Sequence, residues 1–224
     1  DNVRMVVREK LFDKKIDKIL KINIEKYDPE KTHESIEKLM EWTLSYESLK
    51  DMNNSTKKAL NFILCHSIHS YGNKKRKLGG YYQNHPLGVA ILYGLAERTI
   101  TNKEDLPGII ASWDHDLAEE YVSSLIEEEV TIKLKKSSSE EKENIRKVEI
   151  EEFYSEEKET IDVYLKNLDM NRRRILKHRI DVPEENIDSL LIPAINSTKS
   201  LTRLGAQTYY QSVYNLYHHG VFGF

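Results

Sequence analysis

The stretch Gly108–Tyr121, GIIASWDHDLAEEY, begins as an apolar run and then gathers four carboxylates and an imidazole: Asp114, His115, Asp116, Glu119 and Glu120. Apolar residues leading into such a cluster have two readings. One is the solvated acidic end of an ordinary helix. The other is a site that binds a metal and activates water. If residues 109–121 are helical, Glu119 is i+4 from His115 and i+3 from Asp116, and Glu120 is i+4 from Asp116. These residues then occupy adjacent parts of one face. A neutral imidazole beside a carboxylate suits a divalent metal, and carboxylates one turn later can orient or deprotonate a metal-bound water.

A metal site needs ligands from more than one element, and His85 supplies a candidate. It opens the apolar run HPLGVAILYGLAER, directly after the glycine-bearing loop YGNKKRKLGG. Lys74, Lys75, Arg76 and Lys77 make that loop basic. Such loops are mostly just solvated, but beside a metal this one would attract phosphate, and Arg76 could stack on a base.

Composition narrows the classes. The 224 residues fit one domain, or one domain with a large insertion; 39% are hydrophobic and 32% charged. Lys+Arg 34 against Asp+Glu 37 gives a net charge of −3, so nucleic acid as main partner is not indicated. A small anion held by a local basic cluster remains open. The single cysteine, Cys65, excludes an intramolecular disulfide framework and suits a reducing compartment. No run approaches the roughly 20 apolar residues that span a bilayer, and no secretory signal pattern opens the chain. The expectation is a soluble cytoplasmic protein without a membrane partner.

Only 9 Gly and 5 Pro occur, and helical spacing dominates. Leu11, Ile16, Ile19 and Leu20 suggest a first helix; Ile36, Leu39, Met40, Trp42 and Leu44 a second; Leu60, Ile63, Leu64 and Ile68 a third. The fourth starts near His85, with Pro86 tolerated in its first turn and Leu87, Ala90, Ile91 and Leu95 as its buried stripe. The fifth, from Gly108, is expected to break near the charges. From about Glu127 to Thr160 the chain is dense in Glu and Lys, which reads as solvated surface. Residues 161–180 read as a helix carrying a basic patch, RRR and KHR, closed by Asp181-Val182-Pro183. A last helical region, SLLIPAINSTKSLTRL, leads into an aromatic tail.

RKLGGYYQNHPLGVAIL followed by IIASWDHDLAEE resembles the hydrolase domain of the RelA/SpoT family, which belongs to the HD superfamily of phosphohydrolases. Arg76 precedes His85 by the family's interval, Tyr82 takes its tyrosine position, and INSTKSLTRLG is similar to a later family segment. The resemblance implies an all-α HD-domain helical bundle spanning 1–224, interrupted by a charged, largely helical insertion at about 127–190. It implies a manganese-dependent hydrolase removing the 3′-pyrophosphate from ppGpp and pppGpp. His85, His115 and Asp116 would be metal ligands, and Glu119 and Glu120 the pair that activates water. Arg76 and Lys77, with Tyr82, would hold the guanine nucleotide. Glu120 stands where the family has Asp, and Leu78 where it has a small residue. The family's Asp-bearing segment, which supplies a fourth ligand, does not occur within the 224 residues and is expected beyond Phe224 if the site is catalytic. Two alternatives stay open: an HD phosphohydrolase for another small nucleotide, and a non-catalytic HD-fold protein. In the latter the insertion would serve as a surface for a protein partner.

Overall fold

The computed structural model describes residues 39–72, 74, 75, 80–118, 120, 121 and 160–218, with side chains as far as 201. Helix dominates these residues, and no strand occurs among them beyond one isolated bridge between Lys75 and Tyr81. The fold is all-α. The helices are α1 (39–43), α2 (Tyr46–Asp51), α3 (Asn54–Tyr71), α4 (Asn84–Thr101), α5 (Leu106–Asp114), α6 (160–178) and α7 (Glu184–His218). The chain divides into two units: residues up to Asp114 with Leu168–Ser197, and His115–Asn167 with Thr198 onward.

Local signals set the helix ends of the first unit. The Asn53 side chain accepts from the Thr56 N–H and caps α3, and Gly72 at φ 62° ends it. That φ is a conformation glycine adopts without a Cβ penalty. Asp105 caps α5 by accepting from Gly108 N–H at 3.1 Å, and its other oxygen accepts from Tyr93 OH at 2.5 Å. That hydrogen bond to a carboxylate raises the Tyr93 phenol to about 12. Asn102, left-handed at φ 56°, terminates α4.

α5 is the centre of this unit, with every residue from Ile109 to Asp114 buried. Both α3 and α4 pack on it. Leu60, Ile63, Leu64 and Ile68 of α3 face inward as their spacing predicts, joined by Ile109, Ile110 and Trp113 of α5. Fully burying an aliphatic or aromatic side chain contributes about 1.5–3 kcal/mol, so this helix cluster carries much of the stability.

The stripe expected on α4 is turned relative to the observed one. Leu87 and Ala90 are buried, but Ile91 is half-buried and Leu95 is 54% exposed. The reason is Gly94: a Cβ there would lie 2.6 Å from Thr43 O, so α4 approaches the α1 backbone along the line Leu87, Ala90, Gly94. Arg98 donates to the same Thr43 carbonyl at 2.7 Å. Leu95 points away from that line.

The expected insertion at about 127–190 divides. Its part from 127 to 159 lies outside the described residues. The remainder forms α6 and the start of α7, and Ile175, Leu176, Ile180, Val182 and Ile187 belong to the core cluster of the first unit. The basic patch expected on α6 is neutralised in part, while Arg174, His178 and Arg179 are exposed. Arg172 is buried, Arg173 pairs with Asp169 and Asp188, and Lys177 pairs with Glu184.

In the second unit Leu117, Ala118, Ile161 and Leu165 are buried. Tyr121 stacks on Tyr164 with ring centroids 4.9 Å apart, and Lys199 pairs with Asp162 at 3.4 Å.

Candidate metal centre

His85 lies in the first turn of α4, and the segment before it is tied down. Tyr82 N–H donates to Lys74 O at 2.8 Å, and Lys75 bridges Tyr81. The loop is therefore closed where it enters the helix. Gly80, at φ 76°, makes the bend that this closure requires. The Tyr82 ring stacks on Tyr71 at 5.9 Å, with Lys74 Nζ 5.5 Å above it. Tyr82 thus fixes the entry to α4. Arg76 and Lys77, expected to hold a nucleotide, lie outside the described residues.

The break foreseen in the fifth helix falls at the motif itself: α5 ends at Asp114, and His115 and Asp116 form a turn before helix resumes at Leu117. Glu120 N–H donates to Asp116 O at 2.9 Å, so Glu120 begins the next turn. Its side chain is half-buried. Glu119 lies outside the described residues.

His85, His115 and Asp116 each offer one ligand atom, and these atoms lie within 4.8 Å of one another. His115 Nε2 is 3.0 Å from Asp116 Oδ1. Nitrogen and oxygen ligands about 2.0–2.2 Å from a first-row metal lie at most about 4.4 Å apart. Two imidazoles and one carboxylate suit several divalent first-row metals, and this donor set selects no single one. The group could hold a metal ion.

A buried ionic network stiffens the approach to this turn. Arg172 grips Asp114 with two bonds, Nη1 to Oδ2 at 2.5 Å and Nη2 to Oδ1 at 2.9 Å. Ser67 Oγ donates to Asp114 Oδ1 at 2.7 Å, and Arg172 Nη2 also reaches Ser67 Oγ at 2.9 Å. Arg172 Nε donates to His66 Nδ1 at 3.1 Å, which needs that nitrogen unprotonated. Burial, then the Arg172 charge and then His69, lower His66 to about 3. Tyr71 OH donates to Trp113 O at 2.8 Å, fixing the backbone just before Asp114.

This network was not read from the sequence. In the sequence Asp114 is one of four similar carboxylates, and Arg172 is part of the basic run RRR. A signal was present: Ile161, Leu165, Leu168, Arg172 and Leu176 follow helical spacing, so Arg172 sits on the apolar stripe of α6. A buried arginine needs a paired acid.

No protein-family model matches the chain, and no curated protein or solved structure matches it. The class defined here is therefore structural: an all-α protein carrying a two-histidine, one-carboxylate group able to hold a metal ion. No described helix is long and apolar enough to cross a membrane.

Proposed function

We propose that the chain is a metal-dependent phosphohydrolase acting on a nucleotide polyphosphate, with ppGpp the substrate favoured by its resemblance to the RelA/SpoT hydrolase domain. The observation that carries the reading is the approach of His85 to His115 and Asp116, residues from separate segments, within 4.8 Å. A divalent metal held there, manganese by the resemblance, supplies Lewis acidity and lowers the pKa of bound water. Glu119 and Glu120 follow Asp116 by about one helical turn, and one of the two accepts the proton of the attacking water. Arg76 and Lys77 offset phosphate charge, and Tyr82 keeps their loop anchored to α4. The Arg172–Asp114 pair holds the backbone from which His115 and Asp116 project. Cys65 is buried, and burial pushes its thiol upward, so it takes no part in the chemistry. A cytoplasmic setting belongs to the same reading.

The test is manganese-dependent turnover of a nucleotide panel that includes ppGpp, with His115→Ala as control. Hydrolysis by the parent chain, lost in the variant, is expected. Activity that survives His115→Ala refutes the site. Bound metal without turnover of any nucleotide refutes the hydrolase reading and favours a binding protein built on the same group.

A further inference from the structure

We infer a second ligand site, in the cleft where α1, α2 and the first half of α3 meet, that binds a phosphorylated small molecule of mononucleotide size. The cleft has a volume of about 410 Å³, within the roughly 300–1,000 Å³ of small-molecule sites. It is independent of the metal-site reading and shares no residue with it.

Three observations converge on this ligand. The first is charge. Lys50, Lys57 and Lys58 line the cleft against one carboxylate, Glu41, and none of the three ammonium groups has an ion-pair partner among the described residues. The second is their position. Asn54, Lys57, Lys58 and Asn61 follow i, i+3, i+4, i+7 spacing and so share one face of α3. Helix stability alone favours acids near an N-terminus, where the helix dipole is positive. The first turn of α3 holds no acid, and the next residues on this face are two lysines. That arrangement accumulates positive potential, which an anion would relieve.

The third observation is Asn61. It lines the cleft at 9% exposure, and its amide has no hydrogen-bond partner among the described residues. Neither of its amide atoms is sealed from solvent, so water satisfies them until a ligand takes that water's place. One amide offers a donor and an acceptor side by side, the complement of a nucleobase edge or a sugar hydroxyl pair. Met40, Leu49 and the Tyr46 ring complete the wall with apolar surface. Phosphate on the lysines, with an uncharged ring against Asn61 and Tyr46, satisfies all three features at once.

The experiment is isothermal titration of the full chain with pyrophosphate, ribose 5-phosphate and the four ribonucleoside monophosphates, in EDTA so that no metal contributes. The expected result is that at least one nucleotide binds more tightly than pyrophosphate. Lys57→Ala/Lys58→Ala and Asn61→Leu should each weaken it by about tenfold or more, the loss of a charge-assisted or buried hydrogen bond. Alanine is the best helix former, and Asn61→Leu fills the same space without a polar group, so both variants should fold; a thermal melt checks this. His115→Ala should leave the affinity unchanged. Absence of binding by every probe at millimolar concentration overturns the site. So does binding that neither variant weakens, or binding of pyrophosphate that matches the nucleotides and ignores Asn61→Leu.

Discussion

Asp114 and Asp116 are separated by one residue and both are buried, yet their surroundings differ in kind. Asp114 has a dedicated counter-charge: Arg172 and Ser67 occupy both its oxygens. Asp116 belongs instead, with the imidazoles of His85 and His115, to a group that could hold a metal ion. One carboxylate is spent on the fold. The other is grouped with atoms that could share an ion. Adjacency in sequence therefore says little about role; what decides it is the partner brought by a distant helix.

That contrast can be broken most severely at Arg172. Arg172→Met leaves Asp114 buried without its cation and should destabilise the protein by about 3–5 kcal/mol in urea denaturation. Pairing it with Asp114→Leu should recover much of the loss, because two apolar residues replace a complete ion pair. A double variant as unstable as the single one contradicts the network.

The next effect depends on pH. His66 is lowered to about 3 in the folded state from an ordinary 6.5, chiefly by burial. Between those values the unfolded chain binds the additional proton, so stability falls as pH drops from about 6.5 toward about 3. His66→Gln removes this titration and should flatten that part of the curve of unfolding midpoint against pH. An unchanged curve would show that His66 is not held neutral.

Asp105→Ala removes the α5 cap and the acceptor of Tyr93, and should cost about 0.5–2 kcal/mol. The phenol of Tyr93, at about 12 in the folded protein, should then titrate lower by ultraviolet absorbance. Asp116→Asn should have the smallest effect on the metal-free fold, about 1 kcal/mol or less, since the amide keeps the size of the side chain and one acceptor oxygen. Its consequence should appear in metal binding instead. A loss as large as that of Arg172→Met would make Asp116 a second structural carboxylate.

Apolar spacing made α3 and the start of α4 legible, because their inward residues follow one helical face. It misjudged the far end of α4, where Gly94 rather than the larger apolar residues marks the contacting side. It also missed Arg172, whose neighbours in RRR mimic a surface run while its own position is on the apolar stripe of α6. His85, His115 and Asp116 could be named from the motif and its spacing, but no local pattern contains the fact that the three form a group that could hold an ion. Arg76, Lys77 and Glu119 rest on the sequence alone.

The most direct test of the central claim is the metal content of the purified chain after manganese supplementation and removal of free ion, measured by mass spectrometry. The account predicts metal retained by the parent chain and lost in both His85→Ala and Asp116→Asn, with the helical fold preserved by circular dichroism. A parent chain that retains no manganese, zinc or iron, or variants that retain as much as the parent, would contradict it.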